Sequence, residues 1–192
     1  MAVCIILAHP DSTSLSYQIF HETAAILEAR GETVHRQDLH SEEFDPVMPL
    51  DELKRRMSLD PHVSRYAREL GESRHIIIVH PDWWAGPPAI LKGWVDRVFR
   101  PGTAYDEIHD FPGDEAEFIP LLTDKKVSVV ALSYREVSSR TLKAFWKDTV
   151  FGWCGVNDFF LYHLKDIGGS DANQISDWKR DTVHSLTDRV ER

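Results

Sequence analysis

Short apolar runs alternate along the chain with segments whose apolar residues recur at helical spacing. The runs predict five strands, over residues 2–8, 32–38, 75–79, 127–132 and 156–164. The amphipathic segments predict helices over residues 14–30, 61–71, 87–99, 138–150 and 172–190. Because each strand is followed by a helix that must cross back over the sheet, the pattern indicates an α/β fold with a parallel five-stranded sheet and helices on both faces.

The third predicted strand leads into the most informative stretch of the chain. Its residues 76–79, Ile-Ile-Ile-Val, form an apolar run that is typical of a strand buried on both faces. The residues after it include Pro81, Asp82, Trp83, Trp84 and Ala85. Pro87 and Pro88 then suit the first turn of a helix, where a missing N–H costs little. Paired tryptophans at the carboxyl end of a strand favour a wall for a planar ligand or an interface, although a plain cover over the core is the other interpretation.

The first predicted strand ends in a turn that is rich in hydroxyl groups. Its candidate binding residues are His9, Thr13, Ser14, Leu15 and Ser16. A turn that opens a helix presents free backbone N–H groups and the positive end of the helix dipole to an anion, so a phosphate site is one interpretation. The other is that Ser12 or Ser14 is only a helix N-cap. The sequence contains neither the glycine-rich dinucleotide fingerprint nor the Walker phosphate loop.

Composition and charge narrow the possible partners. The chain has 192 residues, which predicts a single domain over residues 1–192. Its 22 basic and 31 acidic residues give a net charge of −9, which argues against nucleic acid as a partner. No apolar stretch is long enough to span a bilayer and no secretory signal pattern is present, so we expect no membrane insertion and a cytoplasmic location.

The cysteines and histidines do not have the spacing of a disulfide framework or of a metal site. Cys4 and Cys154 do not form a disulfide framework, and we expect both to be reduced and structural. The ten histidines are scattered and match no zinc motif, so we expect no functional metal.

Two connections are longer than such a fold requires. They cover residues 39–60, with Phe44, and residues 101–126, with Tyr105, His109, Phe111 and Pro112. Long loops in compact domains usually have a function or are disordered. Their aromatic content favours packing over a ligand or a partner subunit, rather than plain surface excursions.

The first and third strands are neighbours in a flavodoxin-like sheet, at the point where such folds hold a flavin. The residues at this point resemble a known family. The relevant stretch consists of Pro81-x-x-Trp84, then Pro-Ala-Ile-Leu-Lys-Gly-Trp over residues 88–94, then Asp-Arg-Val-Phe over residues 96–99. It is similar to the signature of the flavodoxin-like NAD(P)H:quinone oxidoreductases. This family includes DT-diaphorase, modulator-of-drug-activity proteins and the ancillary subunits of potassium-efflux systems. Further similar stretches are Ala8-His9 with residues 13–16, Asp38-Leu39 with Phe44-x-Pro46, and Ala104-Tyr105.

The resemblance implies a noncovalent flavin, FAD or FMN. NAD(P)H would reduce it, and a quinone, nitro or azo compound would accept the electrons, in a homodimer with sites at the subunit interface. By the same resemblance His9, Thr13, Ser14, Leu15 and Ser16 would hold the phosphate side. The residues that would border the isoalloxazine ring are Pro81, Asp82, Trp83, Trp84 and Ala85.

The chain departs from the family after the fourth predicted strand. The family commonly has Thr-Thr-Gly-Gly there, and this chain has Ser133-Tyr134-Arg135-Glu136. Ser133 keeps a hydroxyl donor for the flavin. Arg135 is either a positive charge that stabilises the anionic reduced flavin or a surface residue. The tyrosine and histidine that relay charge in DT-diaphorase have no counterpart in this sequence that can be aligned.

The function predicted by the resemblance is the two-electron reduction of a quinone or a similar acceptor, with NAD(P)H as donor. The flavin performs this chemistry and the protein positions it. One alternative is a flavin-binding regulatory subunit of a transport system with little turnover. Another is a one-electron flavodoxin-type carrier, which the match over residues 87–99 disfavours because it belongs to the two-electron branch of the family.

Overall fold

The structure, a computed structural model, describes residues 2–108 and 117–191. The strands are β1 (Ala2–Leu7), β2 (Thr33–Asp38), β3 (His75–Pro81), β4 (Tyr105–Ile108), β5 (Glu117–Pro120), β6 (Lys126–Leu132) and β7 (Asp158–Leu164). The helices are α1 (Leu15–Ala29), α2 (Leu50–Arg55), α3 (Pro61–Glu72), α4 (Ala89–Val98), α5 (Arg140–Lys143) and α6 (Ala172–Glu191). A π-helical segment, Ala144–Phe151, continues α5.

The main sheet has five parallel strands in the order β2-β1-β3-β6-β7, which confirms the predicted α/β class. Every residue of the central strand β3 is buried, as expected for a strand covered on both faces. Leu7 of β1 lies opposite Val79 of β3, and Pro81 of β3 lies opposite Leu132 of β6. The carboxyl ends of β1, β3 and β6 therefore meet at one edge of the sheet.

Helices cover the two faces of the sheet and enclose two apolar cores. On one face α1 and α6 pack over β1, β3 and β6. On the other face α3, α4 and the π-helical segment form the larger core around Tyr66, Trp94 and Trp146, which are all fully buried. Within the described residues, no helix is long and apolar enough to cross a membrane.

The connection at residues 39–60 packs on its own chain. Phe44 is buried against Tyr66 of α3, with a ring separation of 5.6 Å. Arg97 of α4 is almost fully buried and pairs with Glu52 at 2.7 Å and with Asp60 at 3.0 Å. These contacts fix the connection, including the short helix α2, against α3 and α4.

Two regions differ from the elements that the sequence predicts. The helix predicted at residues 138–150 begins at Arg140, and from Ala144 onward its turns are π-helical. The connection at residues 101–126 contains the antiparallel pair β4 and β5, in which Tyr105 stacks on Phe118 with a ring separation of 4.8 Å. These strands have four residues each, too few to show a clear period in the sequence. His109, Phe111 and Pro112 lie outside the described residues.

Candidate functional site

The predicted site residues lie on loops at the carboxyl edge of the sheet. His9 follows β1 on a loop that leads into α1, and Asp82 follows β3 on a loop that leads into α4. Ser133 follows β6, and its hydroxyl donates to Asp82 Oδ2 at 2.7 Å. Because β1 and β3 are adjacent, the first two loops leave the sheet side by side. This is the edge at which open α/β sheets bind ligands.

The start of α1 has donors available for an anion. The Ser14 hydroxyl caps the helix by accepting from the Tyr17 N–H at 3.2 Å, so the N-cap interpretation is confirmed for this residue. The N–H groups of Leu15 and Ser16 occupy the first turn, where a helix supplies no acceptor, and they have none in the described part of the chain. Two backbone donors at the positive end of α1 therefore remain for a ligand.

His9 adds a third donor on the same loop. Its Nδ1 accepts the Asp11 N–H at 3.0 Å. Burial lowers the pKa of His9, which favours the neutral ring. With Nδ1 acting as acceptor, the ring proton of the neutral form lies on Nε2. Nε2–H has no acceptor among the residues that the structure describes, so it can donate to a ligand.

Thr13 is already engaged within the loop. Its N–H and its hydroxyl both donate to Asp11 Oδ1, each at 2.7 Å. These hydrogen bonds lower the pKa of Asp11. Thr13 would bind a phosphate only if Asp11 turned away, whereas the donors of His9, Leu15 and Ser16 need no such change.

The two tryptophans stand at the exposed edge of this site. Trp84 is fully exposed and Trp83 about half exposed, at 103% and 47%. Trp84 and Ala85 have φ values of 59° and 61°, a region that side-chain-bearing residues rarely adopt and that is concentrated at functional sites. The Trp83 N–H donates to the Gly86 carbonyl at 3.0 Å and closes the turn. An indole held outward in a closed turn is suited to cover a planar ligand rather than the core.

A chain of polar side chains joins the ends of β3, β6 and β7. Besides its bond to Asp82, the Ser133 hydroxyl lies 2.7 Å from Nε2 of His163 on β7. The other ring nitrogen of His163, Nδ1, lies 2.8 Å from the Ser139 hydroxyl. Asp82 Oδ1 is buried and has no hydrogen-bond partner in the described part of the chain. The carboxylate of Asp82 therefore has one oxygen whose hydrogen-bonding capacity the described residues leave unmet.

A buried histidine, His80, also lies at the end of β3. His80 is fully buried, and burial lowers its pKa to about 4. Its Nδ1 lies 2.8 Å from the Pro81 carbonyl, and Trp146 donates its indole N–H to Nε2 at 3.1 Å. His80 is thus neutral at pH 7 and ties the end of β3 to the π-helical segment.

Comparison with known proteins identifies the family. A family model described as flavodoxin-like fold matches residues 1–186. The chain belongs to the flavodoxin-like fold family. This confirms the predicted flavodoxin-like fold.

Relatives within this family have oxidoreductase names. The chain is 33% identical over 147 residues to a protein of Escherichia coli named uncharacterized NAD(P)H oxidoreductase YcaK, over 73% of this chain and 74% of that protein. It is 25% identical over 166 residues to the FMN-dependent NADH:quinone oxidoreductase of Caldicellulosiruptor bescii, over 83% of this chain and 78% of that protein. The crystal structure of Smu.1420 from Streptococcus mutans superimposes with a TM-score of 0.83 at 24% identity, covering 98% of this chain and 100% of that one, which shows the shared fold.

The loop after β6, at residues 133–136, contacts a neighbouring loop that includes Gly168. The Gly168 N–H donates to the Tyr134 carbonyl at 2.9 Å, and the Tyr134 ring lies so close that a Cβ on Gly168 would approach it to 2.8 Å. Arg135 is exposed and pairs with no carboxylate in the described part of the chain.

The sequence analysis missed His163 and Ser139. His163 lies in the apolar run that forms β7, and Ser139 lies in a polar loop. Only the pairing of β7 with β6 brings the histidine beside Ser133, and this pairing carries no local signal in the sequence.

Proposed function

We propose that the protein is a flavin-dependent NAD(P)H oxidoreductase that binds FMN and reduces a quinone by two electrons. The overall reaction consumes NAD(P)H, one proton and the quinone, and yields NAD(P)⁺ and the hydroquinone. When bound, the flavin supplies the ring that accepts and passes on the hydride. The names of both relatives support this activity over a regulatory transport subunit, and the name of the C. bescii relative supports FMN.

One observation carries the proposal. Within residues 2–108 and 117–191, backbone donors at the start of α1 have no acceptor, and they lie on the loop next to an exposed tryptophan turn. Asp82, directly before that turn, has a buried oxygen with no donor among the same residues. FMN has the matching groups: an anionic phosphate at one end and, at the other, a planar ring with one N–H donor. The Leu15 and Ser16 N–H groups and His9 would hold the phosphate. Trp83, Trp84, Asp82 and Ser133 would border the ring.

The protein groups have distinct tasks in this arrangement. The neutral backbone donors bind a phosphate without burying a cation, which suits a chain of net charge −9. The indoles exclude water from one side of the ring. Because the indoles would cover one side of the ring, the nicotinamide and the acceptor would bind in turn over the same remaining face, which predicts ping-pong kinetics.

A homodimer is part of the proposal. Phe118 on β5 and Trp153 after the π-helical segment are exposed at 39% and 68%, and their rings lie 5.8 Å apart. An exposed aromatic surface of this kind is typical of a protein–protein interface, and we propose that a second copy of the chain binds there. Sedimentation equilibrium measures this directly, and the mass of a single chain at micromolar concentration would contradict it.

The experiment that tests the function is the visible spectrum of the purified protein. We expect a yellow protein, release of FMN on heating as identified by mass spectrometry, and oxidation of NADH or NADPH that depends on an added quinone. A colourless protein that retains neither added FMN nor FAD and oxidises neither nucleotide would contradict the proposal. If NADH or NADPH is oxidised in the presence of an azo or nitro compound but not of a quinone, the acceptor belongs to the azo or nitro class instead.

Replacing Trp84 by alanine should weaken FMN binding about fivefold, the loss expected for one aromatic contact. The dissociation constant is measured by quenching of flavin fluorescence. Leu59→Ala is the matched control, since Leu59 is also an exposed apolar side chain, at 72%, and lies in a different connection. Equal affinities of Trp84→Ala and the unsubstituted protein would remove Trp84 from the site.

A further inference from the structure

The polar chain at the carboxyl edge has a fixed direction. A serine hydroxyl has one proton, and Ser133 donates it to Asp82 Oδ2. Ser133 therefore cannot donate to His163, and the 2.7 Å contact requires that His163 Nε2 carries a proton and donates to Ser133. Burial lowers the pKa of His163, so the ring is held in its neutral form with a single N–H. Nδ1 then accepts from the Ser139 hydroxyl at 2.8 Å.

Every hydrogen bond in this chain points toward the carboxylate. Ser139 donates to His163, His163 donates to Ser133, and Ser133 donates to Asp82. Successive donors polarise one another, and the last bond is strengthened because its acceptor is a carboxylate. One oxygen of Asp82 is thereby fixed, and the other, Oδ1, is buried and has no donor in the described part of the chain. A buried carboxylate oxygen without a donor is costly, so a ligand that supplies one is favoured.

We propose that His163 is a positioning residue, which acts through Ser133 to hold Asp82 so that Oδ1 accepts the N3–H of the bound flavin ring. The inference rests on the proposed function, since it requires that a flavin binds at this edge. N3–H is the only N–H of the oxidised isoalloxazine ring, and a carboxylate oxygen is a matched acceptor for it. The family that the sequence resembles commonly has Thr-Thr-Gly-Gly after the corresponding strand, and this chain has Ser133-Tyr134-Arg135-Glu136 there.

A purely structural role predicts a different result from a positioning role. If the chain only fastened β7 to the sheet, its removal would lower stability and would weaken the binding of all flavins alike. If it positions an acceptor for N3–H, its removal weakens FMN but not an FMN methylated at N3, which has no such donor. The ratio of the two dissociation constants therefore separates the two roles.

The experiment measures the binding of FMN and of 3-methyl-FMN by fluorescence quenching. We expect the unsubstituted protein to prefer FMN by at least tenfold, and His163→Leu to reduce this preference about tenfold. His163→Gln, which keeps an N–H donor, should recover part of it. Ser139→Ala should lower the preference, and Ser138→Ala should leave it unchanged, because the Ser138 hydroxyl accepts from the Arg140 N–H and has no bond to His163.

A second measurement examines the hydrogen-bond direction without any flavin. In ¹⁵N NMR spectra of the apoprotein, His163 should show a protonated Nε2 and an unprotonated Nδ1 at neutral pH. The opposite tautomer would overturn the direction of the chain, even if His163→Leu failed to fold. An unchanged preference for FMN in a folded His163→Leu variant would overturn the positioning role. Failure of the unsubstituted protein to bind FMN would instead overturn the proposed function.

Discussion

Replacing Arg97 by alanine should lower the free energy of unfolding by about 3–5 kcal/mol, because it removes a buried cation that pairs with both the buried Glu52 and the partly exposed Asp60. Arg97 is 2% exposed and Glu52 is 7% exposed. Burial alone would raise the pKa of Glu52, but hydrogen bonds from Arg97 and Arg100 lower it below its usual value. After the substitution Arg100 still pairs with Glu52, but Asp60 and the Asp45 carbonyl lose their donor.

The change in stability is measured by urea unfolding followed by tryptophan fluorescence. Lys92→Ala is the matched control, since Lys92 lies on the same helix and pairs with Asp96, with both side chains about half exposed. An exposed pair contributes about 0–1 kcal/mol, so this control should unfold almost as the unsubstituted protein does. If Arg97→Ala does not fold, the double variant Arg97→Met/Glu52→Leu, which removes both charges, should recover part of the loss. Equal effects of Arg97→Ala and Lys92→Ala would contradict the importance of the buried cluster.

This cluster explains why the connection at residues 39–60 was harder to predict than the sheet. Residues 76–79 are a continuous apolar run, and that composition alone indicates a strand covered on both faces. Arg97, by contrast, follows the charged positions of α4 and is expected on the exposed side of that helix. Its burial depends on Glu52 and Asp60, which lie some 40 residues earlier in the chain. A sequence pattern does not encode which distant carboxylates will fold over a helix.

The candidate site also combines features that the sequence predicts with features that it does not predict. The loops after β1 and β3 could be predicted because strand ends, helix starts and proline positions are local features. The adjacency of these loops came from the expected strand order, which the sheet confirms. The donors, however, are distributed by contacts that no spacing reveals: Asp11 accepts from Thr13, and His163 of β7 contacts Ser133 at the end of the neighbouring strand β6. In the loop after β1, all the hydroxyl and N–H donors are equivalent candidates by sequence. Only the structure shows which of them already have an acceptor.

The backbone donor at Leu15 gives the sharpest test of phosphate binding. Replacing Leu15 by proline removes this N–H, and the first position of a helix tolerates proline. The preceding residue, Ser14, already has φ −64° and ψ 158°, the extended conformation that a following proline favours. We therefore expect Leu15→Pro to fold and to bind FMN about 10- to 100-fold more weakly, the loss of one hydrogen bond to a charged group.

The control for that substitution is Leu15→Ala, which loses the same leucine side chain from the core beside α1 but keeps the N–H. The comparison ligand is riboflavin, which has the ring of FMN and no phosphate. If the start of α1 holds the phosphate, the proline variant should bind FMN more weakly than the alanine variant, and the two should bind riboflavin equally. An equal loss for both ligands would mean that proline disturbs the ring site, and no loss for either would place the phosphate away from α1. The comparison of two variants and two ligands thus attributes the effect to a single backbone group.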